Sequence, residues 1–76
     1  MWNTSDHSNS GFVAMIKNAH PTGTRVRLHY MDDARAVEPG EEGTVRLVDD
    51  MGTIHVDWDN GRRLGLIFGQ DEFEVI

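Results

Sequence analysis

Cysteine is absent from this 76-residue chain, so neither a disulfide nor a thiolate metal site can supplement its core. That absence is compatible with a reducing cytoplasm. Long hydrophobic runs are also missing. Phe12-Val13-Ala14-Met15-Ile16 is the longest near the N-terminus, far short of a spanning helix and without a basic leader or a small-residue cleavage site. The expectation is a soluble, cytoplasmic protein with no membrane contact. Basic residues are few, 7 Lys and Arg against 13 Asp and Glu, for a formal charge of −6. Asp6 and Lys17 cancel within residues 1–20, so the whole excess falls on residues 21–76. A phosphate-binding surface carries a clustered Lys/Arg stripe, and none is present, which disfavours direct nucleic-acid binding.

What is present divides into three parts. Residues 1–8 are polar, rich in Ser and Asn and without periodicity, and read as a disordered tail. Residues 9–20 read as a short amphipathic helix, because Phe12, Met15, Ile16 and Ala19 recur at i, i+3, i+4 and i+7. Ser8 or Ser10 can cap its start, and Pro21 stops it. Two turns are unstable alone, so the helix must dock on its own domain or on another copy, leaving a monomer or a homodimer through Phe12, Met15 and Ile16.

From residue 21 the hydrophobic period changes from 3.6 to 2. Five short strands follow, "RVRLHY", "TVRLV", "TIHVDW", "RRLGLI" and "EFEVI", each alternating apolar and polar residues. Register follows from matching inward residues on neighbouring strands. A three-residue Asp59-Asn60-Gly61 loop places Val56 opposite Leu64, Ile54 opposite Leu66 and Asp57 opposite Arg63. A four-residue loop from Asp49 to Gly52 pairs Val45 with Val56, Leu47 with Ile54, Arg46 with His55 and Thr44 with Asp57. Tight loops and one continuous apolar side predict a small, bent antiparallel barrel. Its expected core is Val26, Leu28, Tyr30, Val37, Val45, Leu47, Ile54, Val56, Trp58, Leu64, Leu66, Phe73 and Val75. A domain this small buries only ~60% of its unfolded surface.

No catalytic or metal motif stands out. His55, Asp57 and Asp59 alternate along one strand, but "DWDNG" lacks the spacing and the distal Glu of a calcium loop. Arg46 and Arg63 are their expected cross-strand neighbours, so paired surface charges explain the same residues. His29 with Asp32 and Asp33 lacks any nearby nucleophile. Gly40, Gly43, Gly52 and Gly61 sit at hairpins and bends, not in a phosphate-cradling loop that opens a helix. The expectation is a non-enzymatic protein with no cofactor. More informative are apolar residues in loops or out of phase: Met31, Met51, Ile67 and Phe68.

The segments "HPTGTRVRLHYMDD", "EPGEEGTV" and "DDMGTIHVDWDNGRRLGLIFGQDEFEVI" resemble a small bacterial and phage family designated only as a domain of unknown function. The resemblance spans roughly residues 12–76. It implies an SH3-like barrel behind a short helix, in bacterial or mobile-element settings, and carries no catalytic residues. Residues 43–76, with V-D-W-D-N-G, are also similar to the peptide-binding barrel repeats of Mind bomb and HERC-type ubiquitin ligases.

Three functional expectations follow, the least favoured being direct nucleic-acid binding on the barrel. One is a protein-interaction module that docks a partner through Tyr30, Met31, Asp32, Asp33, Arg35 and Phe68, with an aromatic groove beside the 31–42 loop. Another is a small acidic inhibitor that mimics nucleic acid and blocks a basic channel of a host enzyme through Asp32, Asp33, Glu38, Glu41 and Glu42.

Overall fold

The computed structural model describes residues 4–32 and 37–76. Helix α1 (Thr4–Ala19) leads into β1 (Arg25–Tyr30), β2 (Glu42–Val48), β3 (Thr53–Trp58), β4 (Arg63–Ile67) and β5 (Glu72–Val75). The strands form one antiparallel sheet in the order β4-β3-β2-β1-β5. The fold is therefore mainly β with an N-terminal helix, as the alternation predicts.

The expected barrel is not closed, because β4 and β5 are edges that do not pair with each other. The sheet is nonetheless curled. Only residues 68–71 link these two strands, and Gln70 and Asp71 both donate their N–H to the Ile67 carbonyl (3.1 and 2.9 Å). The edges of a flat five-stranded sheet stand roughly 19 Å apart, farther than so contracted a link reaches. Closure stops short because the Ile67 backbone bonds within this turn: its N–H also donates to Asp71 Oδ2 at 2.8 Å.

Helix α1 begins at Thr4, within the segment read as a tail; residues 1–3 lie outside the described ones. Once its later turns are docked, each added residue gains a hydrogen bond while ordering only itself. The docked face runs through Val13, Ile16 and His20, with Ile16 fully buried. It rests on the β2–β3 hairpin at Gly52 (φ 88°), where a Cβ would stand 3.4 Å from Ile16 Cδ1 and 3.7 Å from Val13 Cγ2. The helix thus packs on its own sheet. Ile16 is committed to that core, and of the three expected interface residues only Phe12 and Met15 stay at the surface.

The β3–β4 register is the expected one, Asp57↔Arg63, Val56↔Leu64 and Ile54↔Leu66, closed by Gly61 at φ 92°. In β2 the expectation holds for Thr44↔Asp57 and Val45↔Val56 and then fails. A bulge between Val45 and Leu47 shifts the pairing to Leu47↔His55 and Val48↔Ile54. Leu47 turns outward and Val48 takes its place against the core. The bulge is braced from outside the sheet, since the Thr22 hydroxyl donates to the Arg46 carbonyl at 2.9 Å.

The buried core is Ile16, Val26, Leu28, Met31, Val37, Val45, Ile54, Val56, Trp58 and Leu66, with Val48, Leu64 and Phe73 packed against it. Each fully buried aliphatic side chain contributes about 1.5–3 kcal/mol. Tyr30, Leu47 and Val75, expected inside, are exposed. For Tyr30 the cause is a register shift between Leu28 and Tyr30 against β5. Val75 lies on an edge strand, where no described residue pairs with its outer flank. Met31, expected at the surface, is buried.

Candidate functional site

The outward residues of β1, β2 and β3 form a face of paired charges. Arg25 donates to both oxygens of Asp59 at 2.8 and 2.7 Å and also faces Glu42 at 3.4 Å. These contacts raise the already high pKa of Arg25 and hold the Asp59 carboxyl below its ordinary value. Arg27 donates to Glu42 at 3.1 and 2.9 Å, and His29 Nε2 lies 2.6 Å from Glu74. His55, Asp57 and Asp59 do not converge. His55 Nε2 meets Asp49 at 2.7 Å, whereas Asp57 Oδ1 stands between Arg46 Nε and Arg63 Nε at 3.2 and 3.3 Å with no hydrogen-bond geometry to either. Asp49 also accepts the N–H groups of Met51 and Thr53. His55 and those two bonds hold its carboxyl below the ordinary value. Among the described residues no three His, Asp or Glu are grouped as a metal would need.

The expected docking residues separate into two clefts on either side of the 68–71 turn. The smaller, about 160 Å³, is lined by Met31, Asp32, Leu64, Gly65, Ile67, Gln70 and Asp71. At its rim Asp32 accepts the Tyr30 hydroxyl at 3.2 Å and the Gln70 amide at 3.4 Å. That acceptor raises the Tyr30 phenol above its ordinary value. Met31 presents no side chain to a partner, because it is buried. Asp33 and Arg35 lie outside the described residues.

Phe68 belongs to the larger cleft, about 380 Å³, with His20, His29, Gly69, Asp71, Glu72, Phe73 and Val75. His20, which the sequence reading missed, is 5% exposed. Its Nδ1 lies 2.8 Å from the Ile16 carbonyl. A carbonyl only accepts, so Nδ1 carries the proton and caps the helix C-terminus. The imidazole lies tilted against Phe73 (5.5 Å) and edge-on to Phe68 (6.0 Å), and Phe12 meets Phe68 edge-on at 6.0 Å. The available signal was position: a histidine four residues after an apolar helix residue, directly before the proline.

The cleft runs along a free sheet edge. Ile76 N–H donates to the Arg25 carbonyl, and Glu74 is paired with Arg27. In an antiparallel ladder the alternate residues Phe73 and Val75 then point their N–H and C=O away from β1. None of these four groups has a partner among the described residues. Asp71 and Glu72 at the same rim make no ion pair among the described residues, nor do Asp32, Glu38 and Glu41. Lys17, Arg25, Arg27, Arg46 and Arg63 all face carboxylates elsewhere.

The family model for a domain of unknown function, DUF4314, matches residues 9–76. The chain belongs to that family. The match takes in α1 from its second turn and all five strands, so the cleft and its free edge lie wholly within the family domain. No curated protein matches the chain. No helix among the described residues is long and apolar enough to cross a membrane.

Proposed function

We propose that this domain is a non-enzymatic protein-interaction module, working in the bacterial or mobile-element setting that its family resemblance implies. The observation that carries the reading is the exposed apolar cluster beside the larger cleft. Phe12 is 49% exposed, Met15 43% and Phe68 39%, with Phe12 and Phe68 already in edge contact. Large apolar side chains grouped at a surface mark contacts more often than they mark solvent-facing skin. The contact centre moves from the 31–42 loop to Phe68 and Phe12, because Met31 is buried and Tyr30 lies across the 68–71 turn.

A photo-cross-linking residue placed at Phe12 or Phe68, in cells that make the full chain, should capture a protein partner. The same residue at Arg62, on the tip of the β3–β4 hairpin, should not. Equal or absent capture at all three positions would sink the reading. The acidic-inhibitor reading retains Asp32, Glu38 and Glu41, which make no ion pair among the described residues, whereas Asp33 lies outside them. It loses Glu42, which two arginines already neutralise. Its discriminator is a steep loss of affinity with ionic strength and insensitivity to Phe68→Ala.

A further inference from the structure

We infer that the free edge of β5 receives an extended segment of a partner protein carrying Lys or Arg between apolar residues, added to the sheet as a sixth strand. The inference rests on the interaction reading above and names the chemistry of its partner.

Three observations converge on β5. Phe73 and Val75 offer two donors and two acceptors along one line, and their side chains line the 380 Å³ cleft. A strand paired there gains main-chain hydrogen bonds while alternate side chains enter the cleft, which is how strand addition combines affinity with selectivity. The floor is apolar and aromatic, made by Phe68, Phe73 and the buried His20 ring. His20 Nδ1 is already used on Ile16, and Nε2 has no partner among the described residues.

The charge of the rim selects the occupant. Asp71 and Glu72 flank the edge with no ion pair among the described residues, Asp71 keeping one oxygen on the Ile67 N–H and the His29 of this cleft lying against Glu74, so a Lys or Arg passing them gains attraction that an acidic or neutral segment does not. A second copy of this chain is the poorer occupant. Antiparallel β5–β5 pairing centred on Glu74 would set Glu74 against Glu74, and like charges directly opposite are destabilising. The other edge is the poorer match for a basic segment: with the Ile67 backbone bonded to Gln70 and Asp71, its remaining outward residues are Gly65 and the cation Arg63.

The test uses the full chain and a displayed library of random peptides about ten residues long. Enriched peptides should alternate Lys or Arg with apolar residues, slow the hydrogen exchange of the Phe73 and Val75 amides, and bind more weakly as salt rises. Val75→Pro removes one outward donor at an edge position that tolerates proline, and should weaken binding roughly tenfold. Glu72→Lys should lose the basic preference while leaving the amide protection pattern in place. Peptides that bind but protect Gly65, or that ignore Val75→Pro, would overturn the β5 assignment while cross-linking at Phe68 still upheld an interaction role. Concentration-dependent protection of β5 without peptide would name a second copy instead and overturn the basic-segment proposal. Enrichment of acidic peptides, or of none, would overturn it as well.

Discussion

Arg25 and Asp59 lie on opposite sides of β2, one on β1 and the other just past the end of β3, and are joined by two short hydrogen bonds of 2.8 and 2.7 Å. The guanidinium fork reaches over Thr44, to whose hydroxyl it also donates at 3.0 Å. The β3–β4 hairpin is thus tied to β1 by a side chain, where the sheet itself provides no direct pairing.

That tie gives the fold an acid-sensitive component. Arg25 holds the Asp59 carboxyl below its ordinary value of 3.8, and His55 with the Thr53 and Met51 amides does the same for Asp49. Such depressed carboxyls stabilise the folded chain above their ordinary value, and the contribution fades as pH falls through the folded value. Urea midpoints should therefore drop below about pH 4, and Asp59→Asn and Asp49→Asn should each flatten that drop. Because Asp59 is exposed and Asp49 only half-buried, salt should shrink the difference, more so for Asp59. Acid limbs identical to the parent in both variants would contradict the assignment.

Gly43 is required by contact rather than by conformation. A Cβ there would stand 2.6 Å from Val56 Cγ1, 2.9 Å from the Asp57 carbonyl oxygen and 3.0 Å from the Trp58 ring. Gly43→Ala should destabilise by about 1–3 kcal/mol. Each kcal/mol lowers Tm by roughly 4–8 °C in a domain of this size, so calorimetry would resolve the change. An unchanged Tm would mean that β2 and β3 can separate freely at this point.

The helix should be anchored by one side chain. Ile16→Ala removes a fully buried group and should cost about 2–5 kcal/mol, read by denaturant unfolding. Met15→Ala, one position earlier on the exposed side, should stay within about 0.5 kcal/mol. Equal effects would show that α1 rotates in solution.

His20 supplies a cap as well as packing. His20→Phe keeps an aromatic ring between Phe68 and Phe73 but loses the bond to the Ile16 carbonyl. Stability should fall by about 0.5–1.5 kcal/mol, measured by thermal unfolding. A stabilised variant would show that the ring contacts alone decide that position.

How far the sequence discloses this molecule depends on how many constraints act at a given residue. In the β3–β4 hairpin, apolar alternation, charge pairing at Asp57 and Arg63 and the Gly61 turn all select one register. In β2, Val45, Leu47 and Val48 permit two phases, and the bulge that separates them is bonded to Thr22, a residue distant in sequence. Alternation does not encode whether two edges meet, so a barrel and a curled open sheet read alike. Phe68 was visible as an apolar residue out of phase. Met31 gave the same signal, yet the fold buries it beneath the smaller cleft. His20 lay outside any pattern, because its partners Phe68 and Phe73 are assembled only when the chain end returns beside the helix.

An open sheet with two compatible edges is a filament subunit, because each added copy exposes the same edge again. Here the two edges are unequal. The Ile67 end of β4 is sealed by its own turn, and β5 offers only two residues, set between carboxylates. Growth by stacking β4 of one copy on β5 of the next would leave the Ile67 position unpaired. The 68–71 turn therefore shortens the β4 edge, a feature that works against edge-to-edge templating while the β5 edge stays open.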